Sequence, residues 1–180
     1  MNFYILKQAF GNYAQPIRDG SKTTTDFCPQ CGGSHVTRLS PLRVFFKGKR
    51  ETDFYNAPPY KIISPALQNV LTQHGFTGFS FDELEITGWY DSKKKPIDKN
   101  ATVIKEWVIN GRAGKLRKLN GDFVFHCEIC GRVLPEGQKE VKGISVDPTD
   151  WDGSDVFYFE NWFGMPIVTE PVKKALEKVK

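Results

Sequence analysis

The stretch 26–33, DFCPQCGG, holds two cysteines separated by two residues, with a glycine directly after the second; FHCEICGR at 125–132 repeats it. Ninety-five residues lie between Cys31 and Cys127, and the chain has no cysteine besides Cys28, Cys31, Cys127 and Cys130. A C-x-x-C spacing suits a metal because both sulfurs converge on one ion from a single tight turn. The glycine that follows takes positive φ and turns backbone N–H groups toward the thiolates. Two such turns supply four sulfurs, the closed tetrahedral set of a structural zinc site.

Iron in the same geometry, a redox pair and disulfides are the alternatives to Zn2+. A thioredoxin-type pair needs its cysteines at a helix start, where a thiolate pKa is lowered, and CPQCGGSH shows no helical period. Disulfides suit an oxidising compartment. Iron stays open on ligand chemistry alone. His35 and His126 lie close to the hooks and read as neighbours of the site rather than ligands. Closing the loop between the hooks costs about 4 kcal/mol of chain entropy, whereas a structural zinc returns about 10–16 kcal/mol. Catalytic zinc needs an open position, usually with His or carboxylate ligands and a water. The metal expected here is a staple.

Outward from the hooks, the chain is long enough, at 180 residues, for one good core and short for two. No apolar run is long enough to span a bilayer. MNFYILKQAF alternates like a strand and lacks the basic start and cleavage site of a signal peptide, so a reducing cytoplasm is expected. Net charge is only +4, but its distribution is uneven. Residues 91–118 are strongly basic, and 143–172 contain no Lys or Arg. These blocks read either as two solvated faces or as a steering surface for a protein partner.

Strands are expected at 2–9, 43–48, in FTGFSFDELEITGWY with Phe79, Phe81, Leu84 and Ile86 inward, in ATVIKEWVING, and in GDFVFHC leading to the second hook. GNYAQPIRDGSKTTTD reads as a loop, and NAPPYK as a turn whose prolines exclude a central strand. SPALQNVLTQHG reads as a helix: Ser64 caps it, Pro65 fits its first position and Gly75 follows its end. Leu67, Val70, Leu71 and His74 form its expected buried stripe. A second helix, entered in IVTEPVKKAL, would bury Val172, Ala175, Leu176 and Val179; it is still in helical period at Lys180, so either its last turn frays or the natural chain continues.

No nucleophile, second metal motif or phosphate loop stands out; NGRAGK at 110–115 lacks the required spacing. The acidic residues of 147–160 show no spacing that marks a catalytic pair. A non-enzyme is expected.

The paired hooks, the C-terminal block DGSDVFYFENWFGMPIVTEPVKKALEKV and the middle segment ISPALQNVLTQHGFTGFSF together resemble the double-CXXCG-motif family of bacterial immunity proteins. Such proteins protect a cell from a cognate polymorphic toxin used in contact-dependent competition. Glu128 stands where that family usually has proline, and its chains tend to run past the last helix into a further strand. The resemblance implies an inhibitor that binds a protein toxin domain stoichiometrically, with neither membrane nor nucleic acid as partner. The acidic, aromatic stretch with Trp151, Asp152, Asp155, Phe157, Tyr158, Glu160 and Trp162 is the candidate docking surface, against the plainer reading that Phe157 and Trp162 are core. The alternative function is a zinc-ribbon nucleic-acid binder that uses 91–118, with Trp89, Tyr90 and Trp107 as stacking groups. An iron electron carrier is a third. The fold expected is a single α+β domain over 1–180: a β-rich core, two short amphipathic helices, and a four-cysteine, zinc-ribbon-like site linking distant segments.

Overall fold

The computed structural model describes residues 2–9, 11–99, 103–141 and 143–178. Its elements begin with β1 (Phe3–Ile5), β2 (Gln15–Arg18), β3 (Thr23–Phe27), β4 (Ser34–Arg38), β5 (Leu42–Lys47), β6 (Phe54–Ala57) and β7 (Tyr60–Ile63). Then come α1 (Pro65–Gln73), β8 (Phe79–Asp82), β9 (Leu84–Tyr90), β10 (Lys105–Ile109) and β11 (Gly111–Arg112). The chain closes with α2 (Pro135–Glu140), β12 (Val156–Phe159), β13 (Trp162–Thr169) and α3 (Glu170–Leu176). It is strand-rich, with three short helices among the described residues where the sequence suggested two. Among the described residues no helix is long and apolar enough to cross a membrane.

The strands form sheets ordered β2-β5-β9, β6-β7-β10-β8 and β1-β13-β12-β11, with β3-β4 as a separate hairpin. Alternation along each strand shares the apolar residues between successive cores. Leu42, Val44, Phe46 and Trp89 of the first sheet pack on Tyr55, Ala57 and Ile62 of the second. The opposite face of the second sheet, through Phe54, Ile63, Trp107 and Ile109, meets Leu67 and Leu71 of α1, Val172 of α3, and Val156, Tyr158 and Val168 of the third sheet. Phe157, Phe159 and Ile167 face the other way, onto Ala113, Leu116, Val124 and Val133. VFYF in β12 is therefore buried on both sides, as a continuous apolar strand should be. This last core sits beneath the segment that carries the second hook.

Helix α1 follows its local signals: the Ser64 hydroxyl accepts from Leu67 N–H at 3.3 Å, and Gly75 lies at φ +64. Its stripe is shorter than expected. His74 is exposed at the C-cap, stacked on Phe76 at 5.3 Å, because the helix ends before it can turn inward. Val172 and Ala175 of α3 are buried and Leu176 is partly buried; Val179 lies outside the described residues.

Two expectations need correction. GNYAQPIRDGSKTTTD is not a loop: it contains β2 and most of β3. All five β3 positions are exposed, so that strand has no apolar alternation to read and is held by its ladder to β4. GDFVFHC, conversely, contains no named strand, only bridges Arg117↔Phe123 and His126↔Val133. Of its residues only Val124 and the ligand Cys127 are buried, while Phe123 and Phe125 point outward. The prolines of NAPPYK do lie in a turn, between β6 and β7, and β6 is an edge strand.

Candidate metal centre

Each hook is the same six-residue turn. In the first, Cys28 N–H donates to Gly33 O and Gly32 N–H to Cys28 O, both at 2.9 Å. In the second, Cys127 N–H donates to Arg132 O and Gly131 N–H to Cys127 O, both at 2.8 Å. Gly32 and Gly131 lie at φ +65 and +73, a region that any side chain would strain. The turns face each other, and the sulfurs of Cys28, Cys31, Cys127 and Cys130 all lie within 4.8 Å of one another. Across the pair, Cys28 Sγ is 3.8 Å from Cys127 Sγ, and Cys31 Sγ is 3.7 Å from Cys130 Sγ. A tetrahedron of sulfurs with metal–sulfur bonds near 2.3 Å has edges of about 3.8 Å. The four cysteines are free rather than disulfide-bonded. This donor set fits one tetrahedral thiophilic ion and leaves no ligand position open.

The surroundings favour thiolates unequally. Backbone N–H groups of Cys31 and Gln30 hold the Cys28 pKa down to about 6. Cys130 receives the Arg132 N–H, yet desolvation and the sulfurs of Cys127, Cys28 and Cys31 push it up to about 11. Four like charges in so small a space do not coexist without a cation, so a bound dication would complete the ionisation.

Neither histidine joins the cluster. His126 Nδ1 is engaged with Val124 O at 2.8 Å, and His35 is exposed on β4 opposite Asp26. Sequence reasoning missed two cross-hook contacts. The Gln30 side-chain oxygen lies 3.2 Å from Cys127 Sγ and accepts from Ile129 N–H at 3.3 Å, tying the first turn to the second. The Arg132 side chain lies over Gly33, beside the Cys31 sulfur, where its charge offsets that of the thiolates. No spacing rule marks either residue; only the facing of the two turns does.

The hairpin bearing the first hook is also held at its base. Arg38, at the end of β4, pairs with the buried Glu106 carboxylate of β10 at 2.7 Å and lies over the Tyr60 ring at 4.8 Å. Burial raises the Glu106 pKa, with Arg38 acting in the opposite direction.

The candidate docking residues of 151–162 do not share one open face. Phe157 is fully buried and Tyr158 nearly so, while Trp151 and Trp162 pack against the third core. Trp151 Nε1 donates to Ser154 O at 3.1 Å. Asp155 accepts from Thr77 N–H and from the Thr77 and Thr169 hydroxyls. Asp152 and Glu160 are exposed, and Asp152 accepts from Arg112 N–H at 2.8 Å. The charge blocks meet one another: Arg117 pairs with Asp150 at 3.0 Å and Asp147 at 3.4 Å. Of the candidate stacking groups, Trp107 is 2% and Trp89 4% exposed, and only Tyr90 reaches the surface.

Compared with known proteins, no protein-family model matches the chain, and no curated sequence matches it either.

Proposed function

We propose that this chain is a non-catalytic binding protein, held in shape by a structural zinc ion, that neutralises a cognate bacterial toxin domain by stoichiometric binding in the cytoplasm. The observation that carries the reading is the closed four-sulfur site joining two distant segments, which suits a scaffold and offers no position to a substrate. The immunity role itself rests on the resemblance of the hooks and the C-terminal block.

The docking surface better supported than 151–162 is the rim of the hooks. Phe27, Phe125 and Ile129 are 70%, 54% and 65% exposed, and each lies within two residues of a metal ligand. Large apolar side chains left exposed beside the hooks are what a protein partner covers. The test is co-expression with an inactivated toxin domain encoded beside the gene. A one-to-one complex that survives moderate salt and is lost in Phe27→Asp/Ile129→Asp supports the reading and its surface. A complex unaffected by those changes moves the surface elsewhere. No complex and no protection of cells from the active toxin would overturn the function.

A further inference from the structure

The outer face of β2-β5-β9 carries an open groove of about 530 Å³, lined by Ile17, Asp19, Phe45, Lys47, Thr87, Tyr90 and Lys94. Its size falls within the range of small-ligand sites. Alternation along β5 turns Val44 and Phe46 into the core and Phe45 outward. Register places Ile17 and Gly88 on either side of Phe45. The Tyr90 ring lies along the strand over Gly88: a Cβ there would come within 2.7 Å of the ring and its hydroxyl. Tyr90 meets Phe45 edge-on at 5.9 Å and 83°. Gly88 thus allows an aromatic shelf on an otherwise ordinary sheet face.

The shelf is flanked by cations. Among the described residues neither Lys47 nor Lys94 has an ion-pair partner, whereas Arg43, Lys99 and Lys105 are each paired with a glutamate. Lys94 sits at φ +64, and no other described non-glycine residue has positive φ. A lysine held in a conformation that glycine adopts freely suggests a use for its side chain. Asp19 adds a single carboxylate, which accepts from the Thr87 hydroxyl. Two cations and one acceptor around the flat Tyr90 ring, with Phe45 upright beside it, are complementary to a planar base that bears N–H donors and is joined to an anionic group.

We propose that this groove binds a nucleotide, its base stacked on the Tyr90 ring against the upright Phe45 ring, with an edge N–H toward Asp19, and its phosphate between Lys47 and Lys94. The site is separate from the hook rim, so it stands or falls independently of the toxin-binding reading. The unit is supplied either by a free nucleotide or by one residue of a single strand.

The test is a titration of the metal-loaded full chain, followed by amide NMR, with GMP, AMP, ribose 5-phosphate, a short single-stranded oligonucleotide and an acidic peptide. The nucleotides should saturably shift Ile17, Phe45, Thr87, Tyr90 and Lys94, and ribose 5-phosphate should bind about tenfold more weakly for want of a base. Lys94→Gly removes the charge while relieving the backbone, so it should keep the fold and still lose about tenfold in affinity. An oligonucleotide that binds far more tightly than its monomer would identify a strand as the source, and equal affinity would identify the free nucleotide. No shift at millimolar nucleotide, shifts centred elsewhere, an unaffected Lys94→Gly, or equally tight binding of ribose 5-phosphate or the acidic peptide would overturn the proposal.

Discussion

The two hooks share one turn and differ in what lies beneath them. The second rises from a core: Val124 and Val133 flank it and are buried against Phe157, Phe159 and Ile167. The first tops a hairpin whose nine outward positions, Thr23–Phe27 and Ser34–Thr37, are all exposed. A two-stranded ribbon of that kind is marginal in water by itself. Identical local chemistry therefore has unequal consequences. The second hook is positioned by packing, and the first by what it grips: the four-cysteine cluster at its tip and Glu106 at its base.

The strongest way to break this comparison is to remove the metal. Chelation should withdraw on the order of 10 kcal/mol of metal-linked stability. Hydrogen exchange should then quicken first across 23–38, while β7, β10 and β12 remain protected. Equal loss of protection at both hooks would mean that the second is no better founded than the first.

A smaller effect is expected at the base of the hairpin. Arg38→Met leaves the Glu106 carboxylate buried without its cation and should cost about 3–5 kcal/mol, read as a lower urea midpoint. Because burial raises the Glu106 pKa, the folded state holds its proton up to a higher pH than the unfolded chain does. The variant should therefore regain stability as pH falls into the acid range, and Arg38→Met/Glu106→Gln should show no such gain. A urea midpoint unchanged in Arg38→Met would show that the metal alone holds the ribbon.

Lys61 supplies a control away from both hooks. It is 2% exposed, its ammonium donates to Asn56 Oδ1 at 2.7 Å, and burial lowers its pKa to about 8. The unfolded chain keeps this proton up to about pH 10.5, so the burial cost is fully present below pH 8 and is relieved as pH rises between the two values. Lys61→Met should raise stability by on the order of 2 kcal/mol at neutral pH and abolish that alkaline gain. It should leave the difference in exchange between the hooks unchanged. The finest probe is Gln30→Ala, which unties the cross-hook contact and should cost about 1 kcal/mol, seen as faster metal release to a competing chelator. No change in release would remove Gln30 from the site.

Legibility followed the range of the interaction. The ligands could be read because each hook is closed within six consecutive residues, around one left-handed glycine. The cap, proline and glycine of α1 could be read for the same reason. His74 could not, because periodicity says which face a residue occupies and not whether the helix lasts long enough to bury it. Strand β3 was invisible because exposed strands carry no alternation. Helix α2 has a Pro start but no side-chain cap, so little announced it. The aromatics of 151–162 left two readings open because an apolar strand buried on both faces and an exposed aromatic patch share one composition.

By itself, then, the sequence determined the four sulfur donors, their shared turn, the first helix and a strand-rich fold, all consequences of contacts a few residues apart. Tertiary structure alone decided which hook is anchored, that Gln30 and Arg132 belong to the site, that Trp89 and Trp107 are core, and that Phe27, Phe125 and Ile129 remain outside. Burial is settled by partners as many as a hundred positions away, and no local pattern encodes which of two aromatic residues will find one.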